Sequence, residues 1–272
     1  MPDSAQPPAL TAALLADLAA EGDALDALVA PLADWTVPTP AAGWTVAHQI
    51  AHLAWTDRQA VVAATDPDAF GRVLALALEK GDRLVDEGAA EGAREAPADL
   101  LERWRASRRE MVAALAAVPA GTRLPWFGPP MSVASMATAR LMETWAHGQD
   151  VADALGAVRE PTARLRHVAH IGVRARDFAY RNRGLEPPKT EFRVVLTGPA
   201  GEEWAWGPED AEQSVSGPAL DFCLLATQRR NRADLAVVAE GPDADRWLDV
   251  AQAFAGPSGP GRAPAGRPAG RG

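Results

Sequence analysis

The feature that most constrains this chain is a change of hydrophobic period at Pro187 and Pro188. Upstream, apolar residues recur at three- and four-residue steps, the spacing of amphipathic helices. Leu10, Leu14, Leu15, Leu18, Leu25, Leu28, Val29 and Leu32 mark a first helix over residues 8–32. A Pro-rich break at 37–43 precedes a second, capped by Thr45, with Val46, Ile50, Leu53 and Ala54 on one face up to about 64. An Ala- and Leu-rich stretch at 68–87 gives a third, and 97–118 a fourth with Pro97 at its first position. After a loop at 119–130 that holds Trp126, Ser132 caps a helix running to Leu155 before Gly156. Pro161 opens a last long helix, with His167 and His170 inside it, ending near Gly184. Residues 8–185 therefore predict an all-helical bundle.

Downstream the period falls to two. Phe192, Val194 and Leu196 alternate with Arg193, Val195 and Thr197, and a turn at 198–201 leads to 203–206, the pattern of a hairpin. A helix at 218–229, a strand at 235–239 ended by Gly241 and Pro242, and a helix at 244–254 complete a small α+β unit over 188–255. Residues 256–272 hold no large apolar side chain, and a disordered tail is expected there.

With 272 residues, 47% of them hydrophobic, the chain can bury a sizeable core. Its 27 Lys and Arg against 36 Asp and Glu give a net charge of -9, and removing the tail's three arginines leaves -12. That balance opposes nucleic acid and anionic membranes, which need clustered positive charge. Residues 1–20 lack a basic segment and carry Asp3, Gln6 and Asp17, so no secretory signal is read. No apolar run approaches the roughly 20 residues that span a bilayer. A cytoplasmic location is expected. The single cysteine, Cys223, allows neither an internal disulfide nor a multi-cysteine zinc site, so any metal must use histidine and carboxylate. Set among Phe222, Leu224 and Leu225, it reads as a buried core thiol.

Five histidines occur, at 48, 52, 147, 167 and 170. Glu143 and His147 are four apart on one predicted helix, which puts both side chains on one face. His48 and His52 share that spacing, and an antiparallel bundle could bring one of them opposite the first pair. His, Glu and His with a fourth position open is the pattern of catalytic zinc sites. The same spacings are also common on solvated helix faces and in hydrogen-bonded cores. Trp44, Trp55 and Trp145 flank these positions, which suits a walled pocket or a plain core equally. His167 and His170 lie among arginines and read as structural. Arg229 and Arg230 could hold a carboxylate of substrate or thiol, or could instead cap the C-terminal end of their helix.

The segment GWTVAHQIAHLAW at 43–55, with METWAHGQDVADAL at 142–155, resembles the DinB-like, mycothiol-dependent maleylpyruvate isomerase family of actinobacteria. The run from 217 to 259 is similar to the C-terminal part of a poorly characterised metal-binding subfamily. The resemblance covers about residues 10–260. It implies a four-helix bundle holding a divalent metal, usually taken as zinc, on His52, Glu143 and His147, with His48 lining the pocket one turn away. It implies a small sterol-carrier-like α+β domain after the bundle. It also implies mycothiol as cosubstrate, its sulfur held as thiolate by the metal charge. In the isomerase the thiol adds to a double bond, allows rotation and leaves; in other relatives it is transferred. Trp55, Gln149 and Asp150 are the candidates for binding the thiol, Arg229 and Arg230 those for acting on the substrate, and Asp57 is placed to orient a ligand.

The expected function is S-transfer to, or thiol-assisted isomerisation of, a small electrophile by a monomer or homodimer. A non-catalytic metal- or small-ligand-binding protein is the other class. Similar chains are also labelled as concerned with wyosine, a modified tRNA base, which the acidic charge opposes.

Overall fold

The structure is a computed structural model that describes residues 8–265 except Asp82. Contacts divide the chain into two units, Met1–Arg159 and Glu160–Gly272.

In the first unit the helices are α1 (Pro8–Val29), α2 (Val46–Thr65), α3 (Pro67–Lys80), α4 (Arg83–Gly92), α5 (Pro97–Ala117) and α6 (Val133–Leu155). A short hairpin, β1 (Arg123–Leu124) with β2 (Met131–Ser132), leads into α6. Local chemistry sets the ends. Thr45 and His48 form a reciprocal capping box at the start of α2. Pro67 and Pro97 open α3 and α5, where the missing N–H is not needed. Ser132 accepts the Ser135 N–H at 3.1 Å, and Gly156, with φ of 63°, closes α6 in the left-handed conformation. The helical stretch expected at 68–87 is two helices: Gly81, with φ of 60°, ends α3 before α4 begins.

Helix α2 packs on α5 and α6, and α1 packs on the same two. Leu25, Val29, Trp35, Ile50, Leu53, Leu100, Trp104 and Val151 form one buried cluster among these helices. Helix α4 lies close on α2 because Gly88 and Gly92 face it. A Cβ on Gly88 would sit 2.9 Å from the Trp55 ring, and one on Gly92 would sit 2.8 Å from Ala51 Cβ. Ion pairs join the helices. Arg105 grips both oxygens of Asp26 at 2.7 Å, tying α5 to α1, and Arg140 meets Asp57 at 3.0 Å, tying α6 to α2 with both side chains buried.

The second unit contains α7 (Leu165–Arg174), α8 (Arg176–Arg181), β3 (Arg193–Thr197), β4 (Glu203–Trp206), β5 (Ser214–Pro218), α9 (Ala219–Ala226), β6 (Val238–Glu240) and α10 (Pro242–Val250). Its sheet runs β4-β3-β5-β6, antiparallel except for the β3–β5 pair, which is parallel. Helix α7 packs on α9 and α8 on α10. Phe222 and Trp247 meet edge to face at 5.7 Å in the core.

Three expectations are corrected here. The single long helix from 161 to 184 is α7 and α8, broken at Ala175, and both belong to the second unit. The division of contacts therefore falls at Arg159, ahead of the boundary read at 185–188. The cause is burial: Leu165, Val168, Ala169 and Gly172 turn their apolar face to α9. Strand β5 was not expected. Finally, 256–265 is not a free tail: Asn182 donates to the Gly256 carbonyl at 2.9 Å, Asn231 to the Arg262 carbonyl at 2.7 Å, and the Ala265 N–H to Asp234 at 2.8 Å. Residues 266–272, the rest of the expected disordered tail, lie outside the described residues.

Candidate metal centre

Helices α2 and α6 each contribute one face to a cluster of three side chains. His52 comes from α2; Glu143 and His147, one turn apart, come from α6. Glu143 Oε2 lies 3.4 Å from His52 Nε2, across 91 positions of sequence, and 3.2 Å from His147 Nε2. One donor atom from each of the three lies within 4.8 Å of the others. The imidazole centroids are 4.4 Å apart.

Burial acts to raise the Glu143 pKa, but the hydrogen bonds and charge of His147 and His52 outweigh it and hold the carboxyl well below the usual range. A carboxylate that faces two imidazole nitrogens needs a positive partner between them, either protons or a metal ion. Two imidazoles and a carboxylate suit zinc, and they equally suit other divalent first-row metals. The donor set therefore fits the expected group.

The surroundings hold the cluster in shape. Trp44, just ahead of α2, lies against His147 with ring centroids 5.9 Å apart and planes 19° from parallel, and its ring is 5.4 Å from His52. Gln49, fully buried, accepts a hydrogen bond from His147 Nδ1 and donates to Thr39 Oγ1 at 2.8 Å. His48 stands apart in role: its Nδ1 receives the Thr45 N–H at 3.3 Å, so this nitrogen closes the N-terminus of α2.

The other expected residues are engaged elsewhere. Trp55 stacks on Phe127 at 6.0 Å and packs against Gly88. The Gln149 amide donates to Asp153 at 2.9 Å, and Asp150 is buried on α6. Asp57 is taken by Arg140; burial raises its pKa against the pull of that guanidinium. In the second unit, Arg229 donates to the carbonyl of Thr227, the residue that ends α9, at 2.6 Å, and Arg230 to the Arg229 carbonyl at 2.7 Å. Also in that unit, His170 accepts the Trp206 indole N–H at 3.1 Å. Cys223 is fully buried, which pushes its thiol pKa up, and its Sγ donates to the Leu165 carbonyl at 3.5 Å.

Gln49 and Thr39 were not singled out from the sequence. The visible signal was a polar residue at 49 inside the apolar face of α2, where only an internal partner can satisfy an amide.

Residues 18–152 match the family model described as the mycothiol maleylpyruvate isomerase N-terminal domain, and 188–240 match the one described as wyosine base formation. The chain is 57% identical over 250 residues to an uncharacterised protein of Mycobacterium tuberculosis, in strains CDC 1551 and H37Rv, covering 91% of this chain and 97% of the relative. Among solved structures, it is similar to the crystal structure of the mycothiol-dependent maleylpyruvate isomerase. The TM-score is 0.58 at 18% identity, over 88% of this chain and 96% of that one. A histidine-to-alanine mutant of that isomerase aligns over the same shares with a TM-score of 0.56. At this identity the likeness carries the fold. Among the described residues, no helix is long and apolar enough to cross a membrane.

Proposed function

The chain belongs to the mycothiol maleylpyruvate isomerase family, and from that premise we propose that it is a metal-dependent enzyme using mycothiol as cosubstrate on a small electrophile. The observation that carries this reading is the convergence of His52, Glu143 and His147 from two helices. These three would hold a divalent ion, zinc by preference. When bound, such an ion keeps a coordinated thiol as thiolate near neutral pH.

The chain's own residues supply the remaining requirements. Glu143 brings a negative charge that favours a dication. Trp44 lies along one face of His147, its ring 19° from parallel. Lone Cys223 is buried with a raised pKa, so the reacting sulfur is imported. Such a thiolate would be able either to add to a carbon–carbon double bond and leave after rotation, or to displace a leaving group and stay on the product. We keep Arg229 and Arg230 as candidates for binding a carboxylate, and Trp55, Gln149 and Asp150 as candidates for binding the thiol. The first unit is read as a DinB-like four-helix bundle, the second as a sterol-carrier-like module, and the protein as a cytoplasmic monomer or homodimer.

The test is metal analysis of the purified protein, joined to a screen for mycothiol-dependent products. About one divalent ion per chain is expected, lost in His147→Ala, with a thiol-dependent change in the spectrum after cobalt substitution. A folded protein that takes up no metal would sink the reading. A cobalt spectrum indifferent to thiol would favour a non-catalytic binding protein.

The match at 188–240 favours a second reading, action on a tRNA base. A net charge of -9 opposes it, and tRNA binding at physiological salt would revive it.

A further inference from the structure

The side chain of Gln49 is fully buried between two polar partners, Thr39 on one side and His147 on the other. The shape of an amide does not reveal which end is oxygen; the hydrogen-bond network decides it. Here the network has a fixed terminus. The Thr39 hydroxyl donates to the backbone carbonyl of Trp44 at 3.0 Å, and a carbonyl can only accept. Thr39 has then used its one hydrogen, so toward Gln49 its oxygen must accept. That turns the Gln49 NH2 to Thr39, at 2.8 Å, and the Gln49 carbonyl oxygen to His147. This oxygen also only accepts, so His147 must carry a hydrogen on Nδ1.

We infer that Gln49, anchored through Thr39 to the Trp44 carbonyl, is a positioning residue that fixes the tautomer and ring orientation of His147, leaving Nε2 as the atom presented to Glu143 and His52. Trp44 acts at both ends of this relay, since its carbonyl terminates it and its ring lies against the same imidazole. Among the described residues none supports His52 in this way: its Nδ1 is buried and finds no hydrogen-bond partner there. The precision of the pair of imidazoles therefore rests on the Gln49 side. Metal ligands held this way lose about 10–100-fold in affinity when the outer partner is removed. The metal-affinity part of the inference rests on the function proposed above; the tautomer part does not.

The test uses the full-length chain with 15N-labelled histidine, first stripped of metal and then titrated with zinc alone. In two-bond 1H–15N spectra the zinc-loaded chain should show His147 with its hydrogen on Nδ1, and the metal-free chain should show a hydrogen on Nδ1 as well as the one that Nε2 shares with Glu143. In metal-free Gln49→Leu the Nδ1 hydrogen should be lost while Nε2 keeps the one that Glu143 accepts. In Gln49→Glu, which keeps an acceptor at that position, the hydrogen on Nδ1 should stay. Thr39→Val, a milder change at a half-buried loop position, frees the amide to flip and should leave Nδ1 only partly protonated; it carries the test if Gln49→Leu does not fold. The zinc dissociation constant should rise about 10–100-fold in Gln49→Leu and recover most of that in Gln49→Glu. A His147 with no hydrogen on Nδ1 in the unsubstituted chain overturns the inference. So does a tautomer indifferent to both Gln49→Leu and Thr39→Val, or a zinc affinity unchanged in Gln49→Leu. If the tautomer follows Gln49 while the unsubstituted chain binds no zinc, the positioning role stands and the metal reading falls.

Discussion

Asp26 illustrates how a charged residue can contribute stability inside this fold. Hydrogen bonds from Arg105, first, and the charges of Arg105 and Arg108 lower its pKa from 3.8, against an opposing effect of burial. A carboxyl with a lowered folded pKa stabilises fully above its unfolded value and loses that contribution as pH falls through the folded value. Asp26→Asn should therefore lower stability at neutral pH and flatten the acid limb of the stability profile below pH 3.8, which urea unfolding at stepped pH measures. An acid limb as steep as that of the unsubstituted chain would show that other carboxylates carry it. Arg105 would be left with half its partners, since Glu102 also holds it at 2.7 Å. The Asp57–Arg140 pair differs in kind. There both charges are out of water, so its value lies in fixing α2 against α6 more than in net stability.

At the scale of elements, the second unit is held by backbone approaches that admit no side chain. At Gly207, just after β4, φ is +80° and a Cβ would fall 2.0 Å from the Phe192 carbonyl oxygen. Gly207→Ala should cost about 3 kcal/mol or more, seen as a lower urea midpoint of the full chain. A shift below about 1 kcal/mol would mean that the turn can re-form. The same scale shows what the sequence could reveal. Helices α2, α5 and α6 were legible because Thr45, Pro97, Ser132 and Gly156 punctuate them with local chemistry. Strand β5 was not, because Ser214, Ser216, Gly217 and Pro218 read as turn residues, and only pairing with β3 on one side and β6 on the other makes them a strand. The break at Ala175 carries no Gly or Pro, so periodicity ran straight across it. The three clustered side chains were visible as i,i+4 pairs and as motifs that resemble a known family. Gln49 was visible only as a polar residue on an apolar face; its role was not, since that depends on Thr39 and on a carbonyl in the preceding loop, partners that no spacing rule connects.

The whole molecule combines two units of different architecture, with the three clustered side chains confined to the first. A ligand that binds only the folded state stabilises it by about 2.7 kcal/mol at one hundred times its dissociation constant. Calorimetry of the full chain should then resolve two components, with zinc raising the midpoint of one and leaving the other in place. Two components moving together would show that the units unfold as one.

The 91 positions between His52 and Glu143 impose an order in time. As the chain leaves the ribosome, α2 emerges long before α6, and until α6 arrives it can offer only histidines one turn apart. Closing so long a loop carries an entropic cost that the packing of α1, α5 and α6 must first offset. On the proposed reading an ion would complete its site only once α6 has packed on α2, so metal scarcity during synthesis should leave an empty but folded protein able to be loaded afterwards.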